Sequence, residues 1–263
     1  MNKIKVMTIF GTRPEAIKMA PLVKELEKRE EIESIVCVTA QHRQMLDQVL
    51  DTFNITPDYD LNIMKQGQTL VDTTTRALQS LSEVISQVKP NIVLVHGDTT
   101  TTLSGSLAAF YNQVSVGHVE AGLRTYDKYS PFPEEVNRQV TGVIADMHFA
   151  PTQVSKNNLL KEGKKEETIY VTGNTAIDAL KTTVKDEYYH PIFDKIGNDK
   201  MILLTAHRRE NLGEPMKNMF RAIKRIVEEF DDIQVVYPVH LNPLVRQAAD
   251  EVLGDNSKVH LIE

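Results

Sequence analysis

Charged and imidazole groups follow five of the apolar strands that this sequence predicts. After 4–10 comes Gly11-Thr12-Arg13-Pro14-Glu15, with Lys18 close by. After 91–96 comes Gly97-Asp98-Thr99-Thr100-Thr101-Thr102, and after 114–119 comes Glu120-Ala121-Gly122-Leu123-Arg124-Thr125. His207-Arg208-Arg209-Glu210-Asn211 follows 201–206, and His240 follows 234–239. In an open parallel sheet, ligands bind beyond the carboxyl ends of the strands. Carboxylates placed there can move protons, and Arg, Lys and His can hold an anion.

Each group also has a plain structural reading. Asp98 and the threonines could cap a helix over 99–111. Glu120 with Arg124, and Glu134 with Arg138, have the spacing of i,i+4 ion pairs. Arg208 and Arg209 could be a solvated charge run. His42, His118 and His148 taken singly fit structural roles. Convergence favours chemistry, because carboxylates and cations fall together on one predicted edge.

The elements that must position these groups are short β-branched runs alternating with helical patterns. Strands are expected at 4–10, 34–40, 91–96, 114–119, 147–150, 168–172, 201–206, 234–240 and 259–262. Helices are expected near 20–29, 43–53, 69–88, 99–111, 134–145, 152–162, 175–186, 216–230 and 243–253. Met216, Met219, Phe220, Ile223, Ile226, Val227 and Phe230 form one apolar stripe at helical spacing. Pro21 predicts a kink or restart between Pro14 and Arg29. Asn242-Pro243 has the form of an N-cap followed by N1. Alternating strands and helices imply an α/β fold with parallel sheets covered on both faces. The polar stretch 183–199 reads as a linker. The expected division is a first domain over 1–173, a linker region over 174–199, and the first half of a second domain over 200–263. A doubly wound domain usually has five or six strands, so three strands after residue 200 imply an incomplete second domain.

Bulk properties exclude several classes. The 263-residue chain is 41% hydrophobic and 25% charged, as soluble globular proteins are. Its formal net charge of −6 gives no global field for nucleic acid or an anionic membrane. The single cysteine, Cys37, sits in an apolar run and reads as buried and inert. The N-terminal apolar stretch is short and runs into a motif, so it reads as a strand and not a signal peptide. No window approaches a membrane span, and a cytoplasmic location is expected. G-x-G-x-x-G and the P-loop pattern are absent, and so are Tyr-x-x-x-Lys, H-E-x-x-H and G-x-S-x-G.

Eight blocks then carry a resemblance. GTRPEAIKMAPL (11–22), TAQHRQMLD (39–47), VLVHGDTTTT (93–102) and VGHVEAGLRT (116–125) come first. SPFPEEVNRQVTG (130–142), VTGNTAIDAL (171–180), LLTAHRRENLG (203–213) and YPVHLNP (237–243) follow. In this order they closely resemble the bacterial non-hydrolysing UDP-GlcNAc 2-epimerases, across the whole chain. The resemblance implies two Rossmann-like, doubly wound domains of GT-B type. It implies interconversion of UDP-GlcNAc and UDP-ManNAc without a cofactor, feeding envelope polysaccharide synthesis. It assigns catalysis to Asp98, Glu120, Glu134 and His207, and substrate binding to Arg13, Lys18 and Arg138. It implies a second UDP-GlcNAc as activator, held by Gln41, His42, Gln44, Gln68, Glu134 and His240, and a homodimer. Some relatives carry an arginine where this chain has Gly67. The family continues past Glu263 with an Asp-Ser-Gly-Gly segment, a ribose-holding Glu and a returning helix. The resemblance therefore implies that a chain ending there has little turnover. Two other activities are compatible with the residues: a hydrolysing relative that releases ManNAc and UDP, and a nucleotide-sugar-binding fragment without turnover.

Overall fold

The structure, a computed structural model, describes residues 3–40, 43–65, 67–208 and 211–262; the side chain of Gln44 also lies outside the description. The chain divides into two compact units, Met1–Lys185 and Asp186–Glu263.

The first unit is built on a seven-stranded sheet. Its strands are β1 (Ile4–Phe10), β2 (Ile32–Val38), β3 (Tyr59–Asp60), β4 (Ile92–His96), β5 (Ser115–Val119), β6 (Met147–Ala150) and β7 (Ile169–Val171). Their order is β3-β2-β1-β4-β5-β6-β7, and the strand pairs are parallel. The order reverses between β1 and β4, the switch point where a doubly wound sheet opens a crevice. The intervening helices are α1 (Arg13–Glu27), α2 (Arg43–Thr52), α3 (Leu70–Val88), α4 (Thr100–Tyr111), α5 (Glu134–Ile144), α6 (Gln153–Lys161) and α7 (Thr175–Thr183).

Strand alternation divides the core into two layers. Val6, Phe10, Val36, Val38 and Leu94 pack with Met19, Ala20 and Val23 of α1 and with Leu46 of α2. Met7, Ile9, Ile35, Cys37, Val93 and Val95 pack on the other face with Ala77, Leu81, Ile85 of α3 and Ala108 of α4. Burial pushes the Cys37 thiol up to about 12, with Asp60 and Asp58 adding to the effect, so no reactive thiolate forms there.

The second unit holds α8 (Ile192–Ile196), β8 (Lys200–Leu203), α9 (Glu214–Glu229), β9 (Ile233–Pro238), α10 (Pro243–Leu253) and β10 (Val259–Ile262). Its three parallel strands lie in the order β10-β9-β8. The stripe on α9 buries Met216, Phe220 and Val227 against Val235 and Tyr237. Asn242 caps α10, its side chain accepting from the Leu244 N–H.

Several expectations change. Helix α1 starts at Arg13 and runs through Pro21 as one element. The missing N–H and the ring clash cost about 3 kcal/mol. Met19, Ala20 and Val23 are fully buried on either side of the proline, and side chains such as Met19 and Val23 contribute roughly 1.5–3 kcal/mol each. The two-residue β3 gives no periodic signal. It exists because β2 offers a free edge, pairing Cys37 with Tyr59 and Val38 with Asp60. The polar stretch after residue 183 contains α8, whose Ile192 and Ile196 bury against Val236. Five residues are too few to show that period in sequence.

Candidate active site

The first site loop, after β1, is shaped by Glu15. This carboxylate is 2% exposed. One oxygen accepts from the N–H groups of Gly11 (3.1 Å) and Thr12 (2.8 Å), closing a capping box with Thr12. The other accepts from the Thr99 hydroxyl at 2.6 Å, at the mouth of β4. Thr39, beyond β2, meets Thr101 hydroxyl to hydroxyl at 2.8 Å. Gly11 sits where a Cβ would lie 1.9 Å from Thr39 Oγ1, so the loop closes only around glycine. Burial pushes the Glu15 carboxyl up, and its hydrogen bonds from Thr99, Thr12 and Gly11 oppose this. Three strand ends are thereby tied into one frame.

Glu120 follows β5 with a left-handed backbone, φ +63°. For a residue other than glycine this costs about 1–2 kcal/mol. Flanking ladders impose it: the Gly97 N–H donates to Val119 O at 2.9 Å and the Ala121 N–H to Phe149 O at 3.0 Å. Such strain persists only where its surroundings over-determine it, often at functional positions. Lys18 Nζ lies 2.5 Å from Glu120 Oε1, and Asn174 Nδ2 donates to the same oxygen at 3.3 Å. His96 Nε2, buried and without a hydrogen-bond partner, lies 3.7 Å from Glu120 Oε2. Burial brings the His96 imidazole down to about 3, with the Lys18 charge acting the same way, so the ring is neutral at pH 7.

Asp98 forms an ion pair with Arg138, Oδ2 to Nη2 at 2.7 Å. Burial pushes its carboxyl above the usual range. Arg138 opposes that, Glu134 and Glu120 reinforce it, and Lys18 opposes it weakly. A half-buried carboxylate among two others and two cations is a proton-transfer environment. Glu134 opens α5, and its Oε2 is buried without a partner. Arg138 Nε is in the same state, although Nη1 lies 3.6 Å from Glu135. Glu135 itself is structural, accepting from the Thr125 and Tyr126 N–H groups at 3.0 Å each.

The structural alternatives resolve differently. Thr99, not Asp98, caps α4, accepting from the Thr102 N–H. Arg124 pairs with Glu162 at 2.7 and 2.8 Å and not with Glu120. Arg138 pairs with Asp98 and Glu135 and not with Glu134. His118 is fully buried, and burial lowers it to about 3.

Arg13 is half-buried at the first turn of α1. Asp98, Glu120, Glu134, Lys18 and Arg138 thus share the first unit with it. His207 belongs to the second unit, its ring stacked on His240 with centroids 5.4 Å apart. His240 Nδ1 accepts from the Asn242 N–H. Gln68 accepts from the Lys65 N–H (3.0 Å) and from Arg76 Nη2 (2.6 Å). Gln41 and His42 lie outside the described residues, as does the side chain of Gln44. Sequence reasoning overlooked Glu15, His96 and Asn174 as site residues. The T-x-x-E spacing of Thr12 and Glu15 was a usable signal. His96 and Asn174 lie inside the blocks VLVHGDTTTT and VTGNTAIDAL, which mark the stretches but give these two residues no role. Among the described residues, no His, Cys, Asp or Glu cluster could hold a metal ion. No helix among them is long and apolar enough to cross a membrane.

A doubly wound parallel sheet, with carboxylates and cations gathered at its carboxyl edge, defines an α/β enzyme of the Rossmann-like class. The profile of the family described as UDP-N-acetylglucosamine 2-epimerase matches residues 24–263. The UDP-N-acetylglucosamine 2-epimerase of Bacillus subtilis (strain 168) is 72% identical over 263 residues, all of this chain and 69% of the relative. A crystal structure from Listeria monocytogenes gives a TM-score of 0.94 at 63% identity, covering 100% of this chain and 70% of that one. The UDP-GlcNAc 2-epimerase of Neisseria meningitidis, solved bound to UDP-GlcNAc, gives 0.88 at 52% identity, covering 99% and 72%. The chain belongs to the UDP-N-acetylglucosamine 2-epimerase family, whose members are isomerases. Its fold is that of the family's GT-B epimerases.

Proposed function

We propose that the protein interconverts UDP-GlcNAc and UDP-ManNAc by eliminating and re-adding UDP. The carrying observation is the set Asp98, Glu120 and Glu134 with Lys18 and Arg138, at one sheet edge of a chain of this family. The C2–H of the sugar is not next to a carbonyl carbon, so direct deprotonation is prohibitively hard. Breaking the C1–O bond to UDP develops positive charge at C1 and acidifies C2–H. One carboxylate takes that proton, leaving 2-acetamidoglucal and UDP. A second carboxyl group returns a proton to the opposite face of C2, and a UDP oxygen re-bonds to C1. No electrons are gained or lost, so a redox cofactor has no task.

The environments favour distinct roles for the two carboxyl groups. Asp98 is held above its ordinary range by burial, which suits a proton donor. Glu120, with Lys18 and Asn174 on one oxygen, turns the other toward His96 and suits the acceptor. Arg13 and Arg138 supply charge for the leaving diphosphate. The buried, unpartnered Arg138 Nε and Glu134 Oε2 support a polar ligand, which would satisfy them. The product would feed envelope polysaccharide synthesis, and the working form is a homodimer.

The test is proton NMR of UDP-GlcNAc with the full-length protein in D2O, without NAD. Deuterium is expected at C2 of UDP-ManNAc. Retention of the original hydrogen would eliminate this route, and free ManNAc as the main product would assign the hydrolysing reaction.

Regulation is part of the same reading. Gln41, His42, Gln44, Gln68 and Glu134 of the first unit would hold a second UDP-GlcNAc as activator. Arg76, bonded to Gln68, brings a cation to that loop. Gln44→Ala is expected to reduce activation by added UDP-GlcNAc more than it raises KM, read in the reverse direction from UDP-ManNAc. An unchanged activation curve would remove Gln44 from the effector site.

A further inference from the structure

Three successive backbone carbonyls at the end of β4 each lie against a buried side chain from a different element. The His96 carbonyl accepts from Thr102 Oγ1 of α4 at 2.5 Å. The Gly97 carbonyl lies 2.7 Å from His118 Nε2 of β5. The Asp98 carbonyl accepts from Asn137 Nδ2 of α5 at 2.8 Å. A carbonyl can only accept, so Nε2 of His118 carries the hydrogen and the tautomer is fixed. Thr102 and His118 are fully buried, and Asn137 is 5% exposed. Gly97 is also held through its N–H, which donates to Val119 O at 2.9 Å, and its φ of +67° suits glycine.

We propose that His118 and Asn137, together with Thr102, are positioning residues for Asp98. They fix the backbone that carries its carboxylate, and so its place among Arg138 and Glu134 of α5, Glu120 after β5, and Lys18 of α1. The proposal rests on the reading of Asp98 as a proton-transferring group.

A strand end needs no such device for folding alone, since carbonyls at a loop can be solvated. Here the donors come from three elements and serve consecutive peptides, in the loop that bears the candidate acid. Burial keeps the His118 imidazole neutral at pH 7, so its N–H is available throughout the working range. Losing one donor leaves a buried carbonyl unpaired, and the peptide is then free to shift or to admit water. A misplacement near 1 Å can cost about 10²-fold in rate.

Asn137→Ala is expected to lower kcat roughly 10-fold, a fraction of that limit, with the KM for UDP-GlcNAc within about 3-fold. His118→Leu is expected to do the same. His118→Gln, whose amide N–H reaches toward the Gly97 carbonyl, is expected to recover most of the loss. A purely structural role would lower stability without this split or this rescue. A second readout needs no turnover. Carbon-13 NMR of the Asp98 carboxyl is expected to show its titration moving toward that of an ordinary aspartate in Asn137→Ala, as water replaces the buried surroundings. Wild-type kcat and an unmoved Asp98 titration in a folded Asn137→Ala would overturn the proposal. So would His118→Gln as impaired as His118→Leu. If His118→Leu does not fold, Asn137→Ala decides alone. If the wild type forms no UDP-ManNAc yet Asp98 titrates differently in Asn137→Ala, the positioning stands and the epimerase reading falls.

Discussion

Asp98→Asn and Glu120→Gln are each expected to lower kcat by roughly 10²-fold or more, from the lower end of the usual scale of a single general acid or base upward. Both substitutions keep shape and remove a titratable proton site. In Asp98→Asn the amide oxygen keeps a polar atom facing Arg138, whose Nη2 lies 2.7 Å from the carboxylate in the native chain. Binding should therefore change less than turnover. In Glu120→Gln the amide lies beside Lys18 and Asn174, and the group facing His96 can no longer take a proton. In the proposed reaction the two act in successive steps on opposite faces of one carbon, so the double variant should be little worse than the slower single one. Steady-state kinetics in both directions, with circular dichroism to confirm folding, gives the answer. Near-wild-type turnover in both would return these residues to structural ion pairs with Arg138 and Lys18.

Gly122→Ala is expected to destabilise the first unit by about 2–5 kcal/mol. About 1–2 kcal/mol of this comes from a left-handed backbone carrying a Cβ. About 1–3 kcal/mol more comes from overpacking. Gly122 has φ +88°, and an added Cβ would lie 2.3 Å from the Ser155 carbonyl oxygen, a backbone atom of α6. Asn158 Nδ2 donates to the Gly122 carbonyl at 3.0 Å, so the loop cannot simply swing away. For a unit of this size the fall in Tm should be roughly 5–15 °C. Gly163→Ala is the control: φ is +77°, but nothing lies within 4 Å of its added Cβ. It should lose only the backbone part, about 1–2 kcal/mol. Thermal or urea unfolding of the two variants separates the contributions. Equal losses would mean that α6 yields cheaply at Ser155. The motif Glu120-Ala121-Gly122 therefore combines a chemical group with a packing requirement two residues later.

The alternation of apolar runs and helical stripes is a local property. It determined the α/β class, nine of the ten strands among the described residues, and the parallel arrangement. Strand polarity then determined which loops gather, so Asp98, Glu120 and Lys18 were legible as one edge. The motif blocks determined the family. Partner choice was decided only by tertiary structure, because it depends on which side chains meet across separate elements. Spacing offered Glu120 to Arg124, but the left-handed turn at Glu120 delivers it to Lys18, 102 residues away in sequence. Arg124 finds Glu162 instead. Pro21 read as a helix break because its cost is local, while the core that offsets it comes from β1, β2 and α2. The neutrality of His96 and His118 and the raised Asp98 follow from desolvation, which no residue's sequence neighbours encode. The same holds for the three held carbonyls. Thr102, His118 and Asn137 are scattered along the chain, and only the packing of α4, β5 and α5 around the end of β4 turns them into one support for Asp98.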